Sequence, residues 1–344
     1  MTGLREGNFK MTQYVFTVDT GTTNTRVILW DANRRAVGVA KREVGVRNTA
    51  IDGDNHALKA AVKSCLETLL AQEGIGYDQV NRVIASGMIT SNVGLVEIPH
   101  LVAPVSMADL AAGIQDVLCE DVCPIPISFI PGVKNRDGGD VDLSNFEEMD
   151  IMRGEEVEAA AILAEYPTGQ SYILVLPGSH TKYVAVDGDG RITGCLTSIT
   201  GELLNSITND TIIADAVGRQ YVTEATYDRD MVLVGYGQAA KCGIGRACFS
   251  ARILNQFAID DKSKIANYIL GACLQSDVAA SRNSSAISAG PDATIIVAGK
   301  NPFRRAIADI LAYEGYFRHV EEFAPVSELP LSPIGAYRIA DLRG

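Results

Sequence analysis

Residues 15–31 read VFTVDTGTTNTRVILWD: an apolar, β-branched run ends at Asp19, a Gly-Thr-Thr turn follows, and a second apolar run leads to Asp31. This pattern predicts two strands joined by a tight turn. Backbone N–H groups and hydroxyls in such a turn can face phosphate oxygens, and the candidates are Gly21, Thr22 and Thr23. Asp19 ends the first strand, where a carboxylate can hold a hard cation such as Mg²⁺. An ordinary hairpin with polar turn residues would read the same way.

A second hairpin of the same design lies at residues 172–191, which read YILVLPGSHTKYVAVDGDGR. Its turn carries Gly178 where the first turn carries Gly21, and each copy ends in a turn that begins with Asp. Because Leu176 stands in the place of Asp19, we expect the metal-binding carboxylate in the first loop alone. Two such hairpins are what an actin-like sugar-kinase fold needs, since its two phosphate loops hold a nucleotide from opposite sides of a cleft. The candidate phosphate contacts of the second turn are Gly178, Ser179, His180, Thr181 and Lys182.

Length and composition exclude several classes of function. The 344 residues are 47% hydrophobic and suggest about two domains. A net charge of −12 argues against a nucleic-acid surface, although local Arg and Lys still permit an anionic substrate. No apolar run approaches the roughly 18–20 residues of a membrane span. Residues 1–10 read as a short leader without a signal-type apolar core, with Met11 as an alternative start, so we expect a cytoplasmic protein. The seven cysteines are scattered, which favours free thiols over structural zinc.

The periodicity of apolar residues places the remaining elements. It predicts helices over 57–73, 107–117 and two within 246–282, and strands over 80–85, 124–131 and 294–298. The turn-rich segment 135–140 is the predicted interdomain connection. It divides the chain into an N-terminal domain (11–140), a C-terminal domain with the adenosine pocket (141–324), and a Pro-rich tail (325–344) that we expect to be irregular or loose.

Three further stretches carry candidate ligand contacts. Residues 86–100 are polar and glycine-rich at a strand end, where α/β proteins place ligands. Residues 196–203 combine a strand, a turn and a helix start, and either add donors to the phosphate site or form a plain helix cap. Residues 294–313 read as strand, glycine turn and helix, which suits an adenosine pocket because glycine permits flat approach to the base. The candidates are Met88 and Ser91 in the first, Thr200 and Gly201 in the second, and Gly299 and Asn301 in the third.

The sequence Arg153-Gly154-Glu155-Glu156 opens an amphipathic helix just before the second hairpin. Acidic residues in a first helical turn commonly complement the helix dipole. Phosphoryl transfer also uses a carboxylate to orient the nucleophile. Two adjacent carboxylates on a helix point about 100° apart, so we expect only one of them to face a cleft.

Several segments resemble the 2-dehydro-3-deoxygalactonokinases of the actin/hexokinase/Hsp70 superfamily, in family order over about residues 13–320. The matching segments are 19–26, 87–99, 130–132, 150–156, 177–182, 200–203 and 298–311. Met-Arg-Gly-Glu-Glu and Pro-Gly-Ser-His-Thr-Lys are its most specific motifs. The resemblance implies an α/β, two-domain, actin-like (ribonuclease H-like) fold with a central cleft. It also implies Mg²⁺-dependent use of ATP to phosphorylate the terminal hydroxyl of a 2-keto-3-deoxy sugar acid, with 2-dehydro-3-deoxy-galactonate converted to its 6-phosphate as the leading reaction.

The resemblance also suggests roles for single residues. In related sugar kinases a carboxylate at a helix start, just before the second phosphate hairpin, takes the proton of the attacking hydroxyl. By position this base is Glu155, with Glu156 as the second choice. A sugar-acid carboxylate needs a cationic partner, preferably Arg, and the candidates are Arg26 and Arg153, with a structural role as the alternative for each. Asn24 completes the candidate substrate contacts.

The sequence departs from the family at two places: Asn92 and Leu95 stand where the family usually carries Arg and an aromatic residue. This departure leaves the exact sugar acid open. An actin-like ATPase or regulator without a sugar substrate is the alternative reading. A Rossmann oxidoreductase built on Gly235-Tyr-Gly237 is disfavoured, because the acidic residues at the required distance lie between helical stretches. We expect a small-molecule partner, no nucleic acid and no membrane, and we allow for a homodimer.

Overall fold

The computed structural model describes residues 13–288, 290–325 and 327–343, so the leader and Met11 lie outside the described residues. The strands are β1 Tyr14–Thr20, β2 Thr25–Trp30, β3 Ala36–Arg42, β4 Val80–Gly87, β5 Leu101–Val102, β6 Gln115–Val117, β7 Ile127–Phe129, β8 Val133–Lys134, β9 Ile151–Met152, β10 Tyr172–Leu176, β11 Thr181–Val186, β12 Ile192–Ser198, β13 Thr294–Val297 and β14 His319–Glu322. The α-helices are α1 Val46–Asp52, α2 His56–Glu73, α3 Met107–Ala112, α4 Glu155–Leu163, α5 Thr200–Asp210, α6 Arg229–Cys242, α7 Ile244–Phe257, α8 Lys262–Asn283, α9 Phe303–Glu314 and α10 Leu331–Asp341.

The two main sheets have the same plan. The first has the strand order β3-β2-β1-β4-β7-β6, and the second has the order β12-β11-β10-β13-β14. In each, an antiparallel meander is extended by parallel strands, β1 with β4 in one sheet and β10 with β13 in the other. The duplication predicted from the two hairpins is therefore a duplication of whole sheets. A small sheet of β5, β8 and β9 lies outside them.

The final turn of each hairpin is built identically. Asp31 accepts the backbone N–H groups of Asn33 and Arg35 at 2.8 and 2.9 Å, and it also pairs with the Arg35 guanidinium. Asp187 accepts the N–H groups of residues 189 and 191 at 3.0 and 2.9 Å and pairs with Arg191. These backbone hydrogen bonds and the arginine hold the pKa of the Asp31 carboxyl below its usual range.

One hydrophobic core joins the facing sides of the two sheets and includes α4 and α10. Burial of this apolar surface holds the two halves together, at roughly 25 cal/mol for each Å² removed from water. The core also forms the floor beneath the loops of the two hairpins. Representative buried members are Ile28, Ile84, Val157, Leu174, Ile296 and Ala336.

The tail is not irregular chain as expected, because Leu331–Asp341 forms helix α10. It packs closely on α4: a Cβ on Gly335 would lie 1.6 Å from the Val157 carbonyl oxygen, so only glycine permits this approach. The prolines misled the prediction. Pro330 precedes the helix and Pro333 lies in its first turn, where a missing N–H costs nothing.

The other elements are mostly as predicted. Helix α2 and the pair α7 and α8 are confirmed, whereas the helix predicted over 107–117 ends at Ala112 and is followed by strand β6. The predicted interdomain segment begins at Asn135, whose side chain donates to the Cys195 and Ala286 carbonyls at 2.9 Å. The chain there is tied to the second half of the molecule. In the described part of the chain, no helix has both the length and the apolar character needed to cross a bilayer.

Candidate active site

The first hairpin turn is supported from behind by the start of helix α1. The N–H of Val46 donates to the Gly21 carbonyl at 3.2 Å, and the N–H of Arg47 donates to the Thr22 carbonyl at 2.9 Å. Gly45 makes this approach possible, since a Cβ there would lie 2.5 Å from the Gly21 carbonyl oxygen. The loop carbonyls are thus turned toward the helix.

The second turn is supported in the same way by the start of helix α5. The N–H of Glu202 donates to the Ser179 carbonyl at 3.1 Å. A Cβ on Gly201 would lie 2.2 Å from the Gly178 carbonyl oxygen. Gly201 therefore packs against the loop backbone. Gly45 is its counterpart in the first half, because it too lies at the start of the helix that supports a hairpin turn. Gly45 was not identified from the sequence.

The two turns face one cleft of about 950 Å³. Its walls come from both hairpins, the end of β4, the start of α4, the turn after β13 and a segment that leads into α10. The predicted site residues that line it are Asp19, Gly21, Thr22, Arg26, Met88, Arg153, Glu155, Gly178, Ser179, His180 and Gly299. Those that do not line it are Thr23, Asn24, Ser91, Glu156, Thr181, Lys182, Thr200, Gly201 and Asn301.

The two adjacent glutamates of α4 have different surroundings. Glu155 lines the cleft, and its Oε2 accepts the Arg153 N–H at 3.1 Å. Glu156 is fully buried, and both its oxygens accept the Gly154 N–H, at 2.9 and 2.8 Å. Burial, helped by the nearby Glu155 charge, raises the pKa of Glu156 to about 8. Of these two adjacent glutamates, only Glu155 lines the cleft, in agreement with the angular argument from the sequence.

Glu158 is a third carboxyl on this helix, and it also lines the cleft. The Ser332 hydroxyl donates to its Oε1 at 3.3 Å. Burial, with the charges of Glu155 and Asp19, raises the pKa of Glu158 to about 8. Sequence reasoning missed this residue, although the i, i+3 spacing from Glu155 places the two on the same face of a helix.

Asp19 lies at the end of β1, directly opposite Arg26 on β2, and both line the cleft. Burial raises the pKa of the Asp19 carboxyl, and the Arg26 charge opposes that rise. Within the described ranges, no three His, Cys, Asp or Glu side chains come close enough to hold a metal on their own. A half-buried carboxylate that lines the cleft beside a hairpin turn nevertheless fits Mg²⁺, which usually takes one or two protein carboxylates and completes its shell with phosphates and water.

The two predicted cations differ in availability. The Arg153 guanidinium donates to the Thr90 carbonyl and hydroxyl at 2.7 and 2.5 Å, to the Ile98 carbonyl at 2.9 Å, and meets His100 Nδ1 at 3.2 Å. It fixes the loop that follows β4 and has little capacity left for a ligand. The Arg26 side chain makes no hydrogen bond or ion pair with any other residue that the structure describes, so it is the candidate that remains for an anion.

The polar side chains of the loop after β4 mostly do not line the cleft. Ser91 is buried, and its hydroxyl donates to the Met88 carbonyl at 2.7 Å. Asn92 is exposed and does not line the cavity, while Leu95 packs against the core of the first sheet. Met88 is therefore the contact that this loop gives to the cleft.

Several polar residues predicted for the phosphate site serve behind the second loop. Lys182 is buried, and its Nζ donates to the Ile151 carbonyl at 2.7 Å and to the Thr197 hydroxyl. The Thr200 hydroxyl donates to the buried carboxylate of Asp277. The structure therefore brings neither side chain into the cleft. A local sequence motif could not predict these hydrogen-bond partners, because they lie in distant segments of the chain.

The predicted adenosine turn is divided. Gly299 lines the cleft with φ of 87°, a left-handed conformation that favours glycine. Asn301 does not line it, and its side-chain amide donates to Glu224 at 3.0 Å. The Gly235-Tyr-Gly237 motif lies inside helix α6, where a Cβ on Gly235 would be 1.9 Å from the Tyr268 carbonyl oxygen. It is a helix-packing feature, so the Rossmann alternative is excluded.

Two matched sheets, each with a hydroxyl-bearing hairpin turn facing a shared cleft, define the actin-like class of α/β folds. The fold is similar to the crystal structure of a Sinorhizobium meliloti protein named provisionally as a 2-dehydro-3-deoxygalactonokinase. The TM-score is 0.72 at 20% identity, with 95% of each chain covered. The predicted fold class is confirmed.

The chain belongs to the 2-keto-3-deoxy-galactonokinase family, whose model matches residues 19–326. It is 28% identical over 207 residues to a protein of Rhizobium meliloti (strain 1021) named as a probable 2-dehydro-3-deoxygalactonokinase. It is 27% identical over 204 residues to the 2-dehydro-3-deoxygalactonokinase of Escherichia coli (strain K12). Each alignment covers 59% of this chain and 59% of the length of the relative.

Proposed function

We propose that this protein transfers the γ-phosphate of ATP to the terminal hydroxyl of a 2-keto-3-deoxy sugar acid, with 2-dehydro-3-deoxy-galactonate as the leading substrate. The observation that carries the proposal is the convergence of both hairpin turns and of Glu155 on one cleft of about 950 Å³. A pair of turns that binds phosphates accounts for ATP as the phosphoryl donor. A carboxylate on the wall between them can accept a proton, which favours a substrate that reacts through a hydroxyl group. The family match supports the choice of sugar acid.

The two turns bind the phosphates of ATP. A Cβ on Gly21 would meet nothing within 4 Å, so the space in front of this backbone is open, whereas a Cβ on Gly178 would lie 3.3 Å from the His180 carbonyl oxygen. Both glycines line the cleft, and the Thr22 and Ser179 hydroxyls provide further hydrogen-bond donors. Asp19 is the residue that would hold Mg²⁺. The cation, when bound, neutralises charge on the phosphate oxygens.

Glu155 receives the proton of the attacking hydroxyl. The N-terminus of α4 carries partial positive charge, which favours the ionised carboxylate at this position. As the terminal hydroxyl oxygen bonds to the γ-phosphorus, its proton passes to a Glu155 oxygen and ADP leaves with the electron pair of the broken P–O bond. Glu156 takes no part, because its oxygens point into the protein toward the Gly154 N–H.

Arg26 is the residue proposed to meet negative charge on the substrates. It lines the cleft beside Asp19, with which it interacts electrostatically, and among the described residues its side chain makes no hydrogen bond or close ion pair. It can neutralise either the sugar-acid carboxylate or the transferring phosphoryl group. Arg153 instead keeps the floor of the site in place through its hydrogen bonds to Thr90 and Ile98.

A coupled assay of ADP release over a panel of sugar acids, neutral sugars and polyols tests this function. We expect ADP release that depends on a 2-keto-3-deoxy sugar acid. ADP release without any sugar would instead support the actin-like ATPase alternative. Phosphorylation of neutral sugars or polyols alone would refute carboxylate recognition.

A further inference from the structure

The segment that joins the second sheet to helix α10 forms one wall of the cleft. It crosses from β14 toward α4, and its lining residues beyond the family match, which ends at residue 326, are Ser327, Glu328, Leu329, Pro330, Leu331 and Ser332. These residues contribute side chains to the same cavity as the hairpin turns. The family pattern therefore does not account for the whole wall.

Ser332 is the polar side chain of this wall that reaches α4. It is only 6% exposed, and its hydroxyl donates to Glu158 Oε1 at 3.3 Å. The same hydroxyl lowers the pKa of Asp19 as well as that of Glu158, opposing the effect of burial on both carboxyls. Ser332 and Glu158 thus meet on the wall of the cleft, beside Asp19.

Glu158 lies three residues beyond Glu155 on α4. Three residues of α-helix advance about 4.5 Å along the axis and turn about 300°, so the two carboxyls lie on the same face at different depths. That spacing suits a polyol chain that presents one hydroxyl to Glu155 and an inner hydroxyl to Glu158. A carboxyl and a hydroxyl together can accept from and donate to a single substrate hydroxyl.

We propose that Glu158 and Ser332 form the specificity site for an inner hydroxyl of the sugar acid, on the carbon next to or one beyond the phosphorylated carbon. This inference rests on the proposed function and adds the residues that recognise a hydroxyl group along the substrate. A site built to hydrogen-bond a hydroxyl discriminates strongly against an analogue that lacks it, because its own polar groups are then left unpaired. The terminal segment thereby takes part in substrate selection.

The test compares kcat/KM for the sugar acid and for analogues that lack the C4 or the C5 hydroxyl. Wild type should prefer one hydroxylated position by about 10²-fold or more. Ser332→Ala and Glu158→Gln should each reduce that preference at least tenfold, with the KM for ATP within about twofold of wild type. Glu165→Gln is the matched control. Glu165 follows α4 and, like Glu158, contacts α10, since it accepts a hydrogen bond from Arg338 at 3.2 Å, but it does not line the cleft.

The outcomes separate the inference from the function on which it rests. If wild type phosphorylates a sugar acid and both variants lower activity toward all analogues equally, or Glu165→Gln behaves like them, the pair only anchors the tail and the inference is wrong. An unchanged preference in both variants overturns it as well. If wild type phosphorylates no sugar acid, the proposed function fails and the inference fails with it.

Discussion

Replacing Glu155 by Gln separates a general base from a helix-dipole partner. Gln keeps the size of the side chain and can still accept the Arg153 N–H, now 3.1 Å from Glu155 Oε2, through its carbonyl oxygen. If Glu155 only complements the dipole, its charge contributes about 0.3–1 kcal/mol to stability, and kcat should stay within a fewfold. If it accepts the substrate proton, kcat should fall by about 10²–10⁴, equivalent to roughly 2.7–5.4 kcal/mol of transition-state stabilisation.

Single-turnover and steady-state ADP release measure kcat, and a melting curve on each sample measures stability. We expect kcat to fall about 10²-fold or more, with ATP affinity retained and a melting temperature within about 3 °C of wild type. Glu156→Gln is the control, because this buried neighbour points away from the cleft, and its kcat should change by less than about fivefold. Near wild-type turnover by Glu155→Gln would refute the assignment, and a dead Glu156→Gln would mean that α4 is rotated from this structure.

Other residues give separate tests. Asp19→Asn should lower turnover by about 10³-fold while nucleotide binding is partly kept, and near-normal rates at saturating Mg²⁺ would contradict its role. Arg26→Met should raise KM for the sugar acid or lower kcat by at least tenfold, and unchanged kinetics would show that another group meets the anion. The pKa of Glu156 is about 8 when folded, against the ordinary 4.5, so between these values the folded state holds a proton that the unfolded state releases. The free energy of unfolding should therefore fall as pH rises from about 5 to about 8. The fall should be less steep in Glu156→Gln, by up to about 1.4 kcal/mol per pH unit. Urea unfolding at several pH values measures this, and the same pH dependence in both proteins would contradict it.

Local patterns were sufficient to predict the elements that carry the chemistry. Each hairpin is encoded within about 20 residues of chain, so Gly21 and Gly178 could be located from sequence and reach the same cleft. The start of α4 was predictable for the same reason, and so was the fact that only one of its first two glutamates faces the cleft.

Residue roles that depend on distant partners were not predictable. Lys182 resembles a phosphate ligand in sequence, but the Ile151 carbonyl and the Thr197 hydroxyl occupy its ammonium group. The Ser332 contact with Glu158 joins positions 174 apart in the chain. Periodicity and spacing describe neighbours along the chain, whereas these contacts arise from how the two sheets and α10 pack together.

The most direct test of the account is the chemical identity of the product. Wild-type protein, ATP, Mg²⁺ and 2-dehydro-3-deoxy-galactonate can be followed by phosphorus NMR with proton correlation. We predict a new phosphomonoester resonance coupled to the methylene protons of the terminal carbon, which appears together with ADP. A spectrum that contains only ADP and inorganic phosphate, or an ester on another carbon, would contradict phosphoryl transfer to the terminal hydroxyl in this cleft.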